Sequence, residues 1–362
     1  MSVNLATNVF RQEILNLSAY KVADAKNLIK LDAMENPYSW PELIIDQWLQ
    51  AIKSCPINRY PDPEANDLAI TLRRVNRIPQ TSAMLLGNGS DEIIQILLMA
   101  LPPDASIMAP EPSFVMYRQI ARSLGLNYHG IALRADDFAL DLPAMLAAIE
   151  NHQPAVIFLA YPNNPTGNLF SADAIEQILS KTTGLVVIDE AYAPFTDASF
   201  IARLDQFPNL LVMRTVSKLG LAGLRLGFLA GAPELVEQLN KIRLPYNINS
   251  LTQITANFAL NNIEFLNRQT ETIRQQRGEV FNQLNQFEDI KAFPSEANFI
   301  LFKSANIAAD DLFQSLKNQG ILIKNLSPQG GPLHQSLRVT IGTEQENKAF
   351  IEALAITLNS AN

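Results

Sequence analysis

Short apolar runs alternate with amphipathic stretches through the middle of the chain. "SIMAP" (106–110), "AVIFLAYP" (155–162), "GLVVIDEAY" (184–192) and "LLVMRTVS" (210–217) are rich in β-formers, about strand length, and closed by proline, glycine or polar residues. Between them, "SFVMYRQIARSLG", "DLPAMLAAIENH" and "SADAIEQILSK" carry helical patterns, and "SDEIIQILLMAL" reads as a helix capped by Ser90 with acids in its first turn. Strands alternating with helices imply parallel crossovers and a layered α/β domain.

Beyond about residue 232 the pattern changes. "APELVEQLNKIRLPYNINSLTQITANFALNN" and "IEFLNRQTETIRQQRGEVFNQLNQF" read as long helical stretches, followed by "ANFILFKS", a helix "DDLFQSLKNQG", "ILIKNL", "SLRVTIGT" and a closing helix "EQENKAFIEALAITLNS". The expected fold is α/β: a three-layer α/β/α large domain on a mostly parallel sheet, plus a smaller α+β domain. The large domain is expected over residues 36–245 and the small one over 1–35 and 275–362, with connecting helices at 246–274.

Composition narrows the partners. In 362 residues the chain has 48% hydrophobic and 18% charged residues, a globular balance, and a formal net charge of −8. No long basic run appears, which disfavours nucleic acid and anionic membranes. No apolar run reaches the roughly 18 residues of a membrane span, and no leader of the secretory type is expected at the start. The single cysteine, Cys55, fits a reducing compartment, so a cytoplasmic location is expected. His129, His152 and His334 are scattered, without the clustering of a zinc site.

Open α/β sheets bind ligands beyond the carboxyl ends of their strands. The polar residues there are Asn88, Gly89, Ser90 and Asp91 after "SAMLLG", Asn163 and Asn164 in "NNPTG", Asp189, Glu190 and Tyr192 after "GLVVI", and Thr215, Ser217 and Lys218 after "LLVMR". Arg225 follows shortly, in "RTVSKLGLAGLRLGF". A lysine amine of lowered pKa attacks carbonyls. A helix mouth with glycine and a hydroxyl cradles phosphate, and a strand-end carboxylate can hold a pyridinium proton. Pyridoxal 5'-phosphate (PLP) asks for these together. "GNGSDE" is not a dinucleotide fingerprint, because Glu92 stands where that motif has its last glycine.

The ordered set "MENPY", "NRYPDP", "GNGSDE", "PEPSFVMY", "YPNNPTG", "VIDEAY", "TVSKLGLAGLRLG" and "SLRVTIGT" covers most of the chain. It resembles the class I and II aminotransferases of the fold-type-I PLP enzymes. The resemblance implies that Lys218 is the Schiff-base lysine and proton carrier, and that Asp189 keeps the pyridine nitrogen protonated. It also implies that Asn164 and Tyr192 bond the phenolic oxygen and that Phe114 stacks on the ring. Gly89, Ser90, Asp91, Thr215, Ser217 and Arg225 would hold the phosphate. Tyr60 would reach it from the partner subunit of a homodimer. Arg338 would grip the anionic end of the substrate, with Tyr20 and Asn36 on the substrate side.

Within the family the likeness is greatest to the branch that acts on L-histidinol phosphate. That implies transfer of its amino group to 2-oxoglutarate, giving imidazole-acetol phosphate and L-glutamate. A threonine-phosphate decarboxylase or an aromatic amino-acid aminotransferase would share the cofactor residues. Three departures mark this chain. "KLGLAGLR" is one residue tighter than the family's commoner spacing between lysine and arginine, Met34-Glu35-Asn36-Pro37 stands where the family often reads "NENP", and Lys324 stands where an arginine is common.

Overall fold

A computed structural model describes residues 5–19 and 23–361. After a short β1 (Ile29–Lys30), seven strands form the main sheet: β2 (Ala83–Gly87), β3 (Ser106–Glu111), β4 (Asn127–Ala132), β5 (Val156–Ala160), β6 (Leu185–Asp189), β7 (Leu210–Thr215) and β8 (Gly227–Gly231). Their spatial order is β2-β8-β7-β6-β5-β3-β4. β8 runs antiparallel to both its neighbours, and the remaining pairs are parallel.

The central strands are buried on both faces, which is why they read as unbroken apolar runs. Their residues alternate between two cores. Ile157, Leu159, Val186, Ile188 and Val212 pack with helices Leu142–His152 and Ala172–Lys181. Val156, Phe158, Val187, Leu211 and Met213 pack with helices Ser90–Met99 and Val115–Ser123. The period of two along each strand thus divides the side chains between the outer layers, and the three-layer architecture follows.

Two strands carried no clear pattern in the sequence. β4 is an edge strand of mixed polarity, "NYHGIA". β8 is "GFLAG", fully buried but glycine-rich. A side chain at Gly227 would sit 3.0 Å from the Ser90 backbone nitrogen, so glycine there lets the sheet approach the mouth of helix Ser90–Met99. The long helical stretch expected after residue 232 is two helices, Pro233–Asn240 and Ser250–Asn261. The break between them contains Pro245, and Asn249 caps the second by accepting from the Thr252 N–H at 2.9 Å.

The C-terminal part adds β9 (Ile290–Ala292), β10 (Phe299–Ser304), β11 (Ile321–Leu322), β12 (Lys324–Asn325) and β13 (Ser336–Thr340). Four of these form an antiparallel sheet in the order β12-β13-β10-β9, while β11 pairs in parallel with β1. "ILIKNL", expected as one run, is therefore shared between two sheets. Phe299, Phe302, Phe350 and Leu354 anchor this separate core. Helix Glu264–Leu284 links the cores: Phe265 and Leu266 enter the first, Ile273, Val280 and Leu284 the second. The expected boundary at 274/275 falls inside this helix.

The expectation that residues 1–35 pack with the small domain needs correction. β1 does so, but the turn at residues 11–16 lies against the large sheet's helix Val115–Ser123. The physical reason is a cation at a helix end: the Arg11 guanidinium donates to the carbonyl of Ser123, the last helical residue. No helix of the described residues is long and apolar enough to cross a membrane.

One buried ion pair fixes the strand ends that face the cleft. Glu190, just after β6, has a fully buried side chain; it accepts from Arg214 of β7 through Nε at 2.9 Å and Nη2 at 2.7 Å. Ser199 Oγ and the Phe200 N–H also donate to it. Replacing Arg214 by alanine leaves that carboxylate buried without its counter-ion. Urea denaturation should show Arg214→Ala less stable by about 3–5 kcal/mol; a loss below about 1 kcal/mol would mean that water reaches Glu190 freely.

Candidate active site

The site lies where the strand order reverses. β3 leads outward to β4, whereas β5, β6 and β7 follow on its other side; ligands of open α/β sheets bind at such switch points. Phe114 follows β3, Asn164 follows β5, Asp189 ends β6 and Lys218 follows β7. All line one cavity of about 120 Å³, together with Ser90, Asp91, Tyr192, Thr215, Ser217 and Arg225. Asn163 staples two of these loops: its Oδ1 accepts from Ser113 Oγ at 2.8 Å, and its Nδ2 donates to the Pro112 carbonyl at 2.9 Å.

The tight connection from Lys218 to Arg225 closes through unusual backbone. Ser217–Leu221 form one wide helical turn kinked at Gly220 (φ 123°), Ala222–Leu224 a 3₁₀ turn, and Arg225 itself is left-handed (φ 48°, ψ 52°). This turns the guanidinium back toward the mouth of helix Ser90–Met99, where Nη2 lies 3.7 Å from Asp91 Oδ2. The cap of that helix is Gly89 rather than the expected Ser90, which is its first helical residue. Gly89 has φ 90°, and a Cβ there would stand 2.8 Å from Arg225 Nη2. Only glycine leaves the backbone and the arginine this close. Thr215 Oγ1 lies 2.9 Å from Ser217 Oγ on the same side.

Burial dominates the electrostatics. It pushes the Lys218 amine down to about 8, helped by Arg338 and Arg225 and opposed by Glu35 and Asp91. Lys218 Nζ donates to the Ala33 carbonyl at 3.4 Å and stands 5.9 Å from the centre of the Tyr192 ring. Burial pushes the Asp189 carboxyl up to about 6, although hydrogen bonds from Tyr117 and the Ala191 N–H oppose the rise. Desolvation also raises the Tyr192 phenol and the Asp91 carboxyl, the latter against Arg225 and Lys218.

Other expected residues stand apart from the cavity wall. Arg338 is next to it: its Nη1 donates to Asn164 Oδ1 at 2.6 Å, its Nη2 to the Asp32 carbonyl at 3.0 Å, and it lies over the Phe299 ring. Asn36 is not brought into the cavity. Its amide supports the lysine turn instead, donating to the Leu219 carbonyl at 3.1 Å and to Gln269 at 3.0 Å; Met34 lines the cavity in its stead. Tyr60 is 81% exposed and stacks on Tyr246 at 4.6 Å, outside its own chain's cavity. Tyr20 lies outside the described residues. The residue that sequence reasoning missed is Tyr117, whose hydroxyl donates to Asp189 Oδ2 at 2.5 Å. Its signal was its place one helical turn after Phe114, in the same "PSFVMY".

A larger cavity, about 390 Å³, adjoins the far side of Thr215 and is lined by Glu190, Arg214, Ser199 and Leu260 among others. Its central charges are already paired with each other, whereas the smaller cavity holds a buried amine and carboxyl with no mutual ion pair. The chemistry therefore points to the smaller one.

Comparison with known proteins shows the family. The family model described as aminotransferase class I and II matches residues 26–354. Histidinol-phosphate aminotransferase 2 of Nitrosococcus oceani is 54% identical, covering 95% of this chain and 96% of its own. The solved histidinol-phosphate aminotransferase of Sinorhizobium meliloti, in complex with pyridoxal-5'-phosphate, superposes with a TM-score of 0.86 at 22% identity, over 98% of each chain. The L-threonine-O-3-phosphate decarboxylase of Porphyromonas gingivalis shares the fold with a TM-score of 0.76 at 23% identity, over 91% of this chain and 99% of that one.

The depressed amine makes a direct prediction. A neutral amine is the nucleophile, so below about pH 8 the reaction of Lys218 with a small aldehyde should rise about tenfold per pH unit, then level off. Reductive methylation with formaldehyde, read by mass spectrometry of the Lys218 peptide, checks this. Labelling that keeps rising to pH 10, like an exposed lysine, would contradict it.

Proposed function

The chain belongs to the class I and II aminotransferases, and from that premise we propose its reaction as PLP-dependent transfer of the amino group of L-histidinol phosphate to 2-oxoglutarate, giving imidazole-acetol phosphate and L-glutamate, a step of histidine biosynthesis. The observation that carries the substrate is the 54% identity to a histidinol-phosphate aminotransferase across 95% of this chain. The decarboxylase is similar at the level of fold alone.

The residues present fit the cofactor. The mouth of helix Ser90–Met99, where the Arg225 guanidinium packs against Gly89 beside Thr215 and Ser217, suits a phosphate. The buried amine suits an aldehyde, and the buried carboxyl of Asp189 suits a pyridine nitrogen. When bound, PLP supplies an electron sink for the charge left when the substrate's Cα–H bond breaks. In this reading Lys218 attaches the cofactor and afterwards carries the proton, its amine poised near neutrality for both tasks. Asp189 holds the proton on the ring nitrogen. Asn164 gives its oxygen to Arg338, which leaves its NH₂ end, with Tyr192, for the ring's phenolic oxygen. Arg338 takes the oxyanion common to the two substrates. Lys324 is its direct partner across β12 and β13, so a second cation stands where the family commonly has arginine.

A second copy of the chain completes the proposal. Tyr60, Ile57 and Leu244 are 81%, 78% and 71% exposed, more apolar surface than one side chain explains. In a two-fold dimer Tyr60 would enter the partner's cavity. A cytoplasmic location belongs to the same reading.

Two experiments test it. The purified protein should be yellow, lose its cofactor absorbance with L-histidinol phosphate and regain it with 2-oxoglutarate; Lys218→Ala should abolish the cycle. Release of carbon dioxide from threonine phosphate, or bleaching by aromatic amino acids alone, would sink the substrate assignment. For the dimer, mixing the inactive variants Tyr60→Ala and Lys218→Ala should restore about a quarter of wild-type activity, since half of randomly mixed dimers hold one intact site. No recovery on subunit exchange would place Tyr60 outside the catalytic site.

A further inference from the structure

We infer that Tyr117 is a positioning residue for the reaction: by donating its hydroxyl to Asp189 it keeps that side chain a carboxylate, so that the proton shared with the cofactor stays on the ring nitrogen. The inference rests on reading the cavity as a PLP site.

Tyr117 is fully buried on helix Val115–Ser123. Its ring stacks on Phe158 at 4.6 Å and 8°, and meets Phe114 edge-on at 5.4 Å and 84°. Those contacts fix the ring and would be made equally by phenylalanine. The hydroxyl adds something else, a 2.5 Å hydrogen bond to Asp189 Oδ2. The other oxygen, Oδ1, accepts from the Ala191 N–H at 3.1 Å.

Burial works most against the charge of Asp189, and the carboxylates of Asp91 and Glu190 add to it. Tyr192 also adjoins, and its phenol is itself raised by burial. The two donors to Asp189 are thus what the fold sets against desolvation, and Tyr117 is the stronger of them. In the loaded site one proton lies between the ring nitrogen and Asp189. It sits either on nitrogen, facing a carboxylate, or on oxygen, facing a neutral ring; no other atom moves. A short hydrogen bond to a charged acceptor favours the first arrangement, and that arrangement makes the ring the better electron acceptor.

The test is Tyr117→Phe, which removes one oxygen and keeps both ring contacts. With PLP labelled at its ring nitrogen with ¹⁵N, the wild-type holoenzyme should give a protonated resonance across neutral pH. In Tyr117→Phe the resonance should move toward the unprotonated position, with kcat lowered by roughly ten- to a hundredfold and the KM for the amino donor within about twofold. An unchanged resonance overturns the inference. Phe158→Leu loosens the stack but keeps the hydroxyl, and should leave the nitrogen protonated; an equal shift there would mean that packing is responsible, and would also overturn it. In the cofactor-free protein, the ¹³C-labelled Asp189 carboxyl should titrate about one unit higher in Tyr117→Phe than in wild type. Equal titration refutes the coupling on its own, whereas failure to take up PLP refutes the reading of the cavity and leaves the coupling measured.

Discussion

A lysine amine and an aspartate have been withdrawn from water at one edge of one sheet, and neither serves as the other's counter-ion. Desolvation drives Lys218 down to about 8 and Asp189 up to about 6, both toward neutrality, so the two span neutral pH. Such groups are held in place only if their surroundings are rigid, because each would gain by reaching water. The rigidity comes from next door. Glu190, adjacent in sequence to Asp189, is matched by Arg214, Ser199 and the Phe200 N–H. Two neighbouring acids on one strand end thus have opposite fates: one is fully compensated and fixes β6 to β7, the other is left hungry for a cation.

The end of the cavity proposed to hold the phosphate depends on backbone shape more than on charge. Arg225 and Asp91 are both about half exposed, and their 3.7 Å contact adds little stability. What would suit the place to an anion is the close approach of Gly89 before the helix, Gly227 on β8, and Arg225, whose left-handed backbone brings its guanidinium against Gly89. A shorter connection from Lys218 to Arg225 is compatible with this. Gly220 and Arg225 spend positive φ values where a longer loop would spend a residue.

Much of the fold was legible because its central strands are covered on both faces, and such strands announce themselves as apolar runs. The edge strand β4 and the glycine-rich β8 did not, since one is half solvated and the other is shaped by close approach rather than by hydrophobicity. The cavity-lining residues were legible because each follows a strand whose end could be placed. Asn36 was not, because its side chain serves the lysine turn from a distant segment, a tertiary relation that spacing does not encode. Tyr117 was missed for a related reason. A tyrosine on an amphipathic helix looks like packing until the carboxylate from a strand 72 residues away is seen to meet its hydroxyl.

In the proposed reading, the residues that select a substrate sit on the other core. In that reading the cofactor contacts come from the large sheet, where the cavity-lining residues follow strand ends. Which bond to Cα is broken depends on how the substrate's remaining groups are held across the ring. Arg338 and Lys324 lie on the small sheet, and Arg338 reaches the cavity through Asn164 and the Asp32 carbonyl. Their placement relative to Lys218 is set by helix Glu264–Leu284, which roots one end in each core, and by Asn36 and Gln269, which join that helix to the lysine turn. In the proposed reading, specificity is therefore a property of how two cores are joined by that helix.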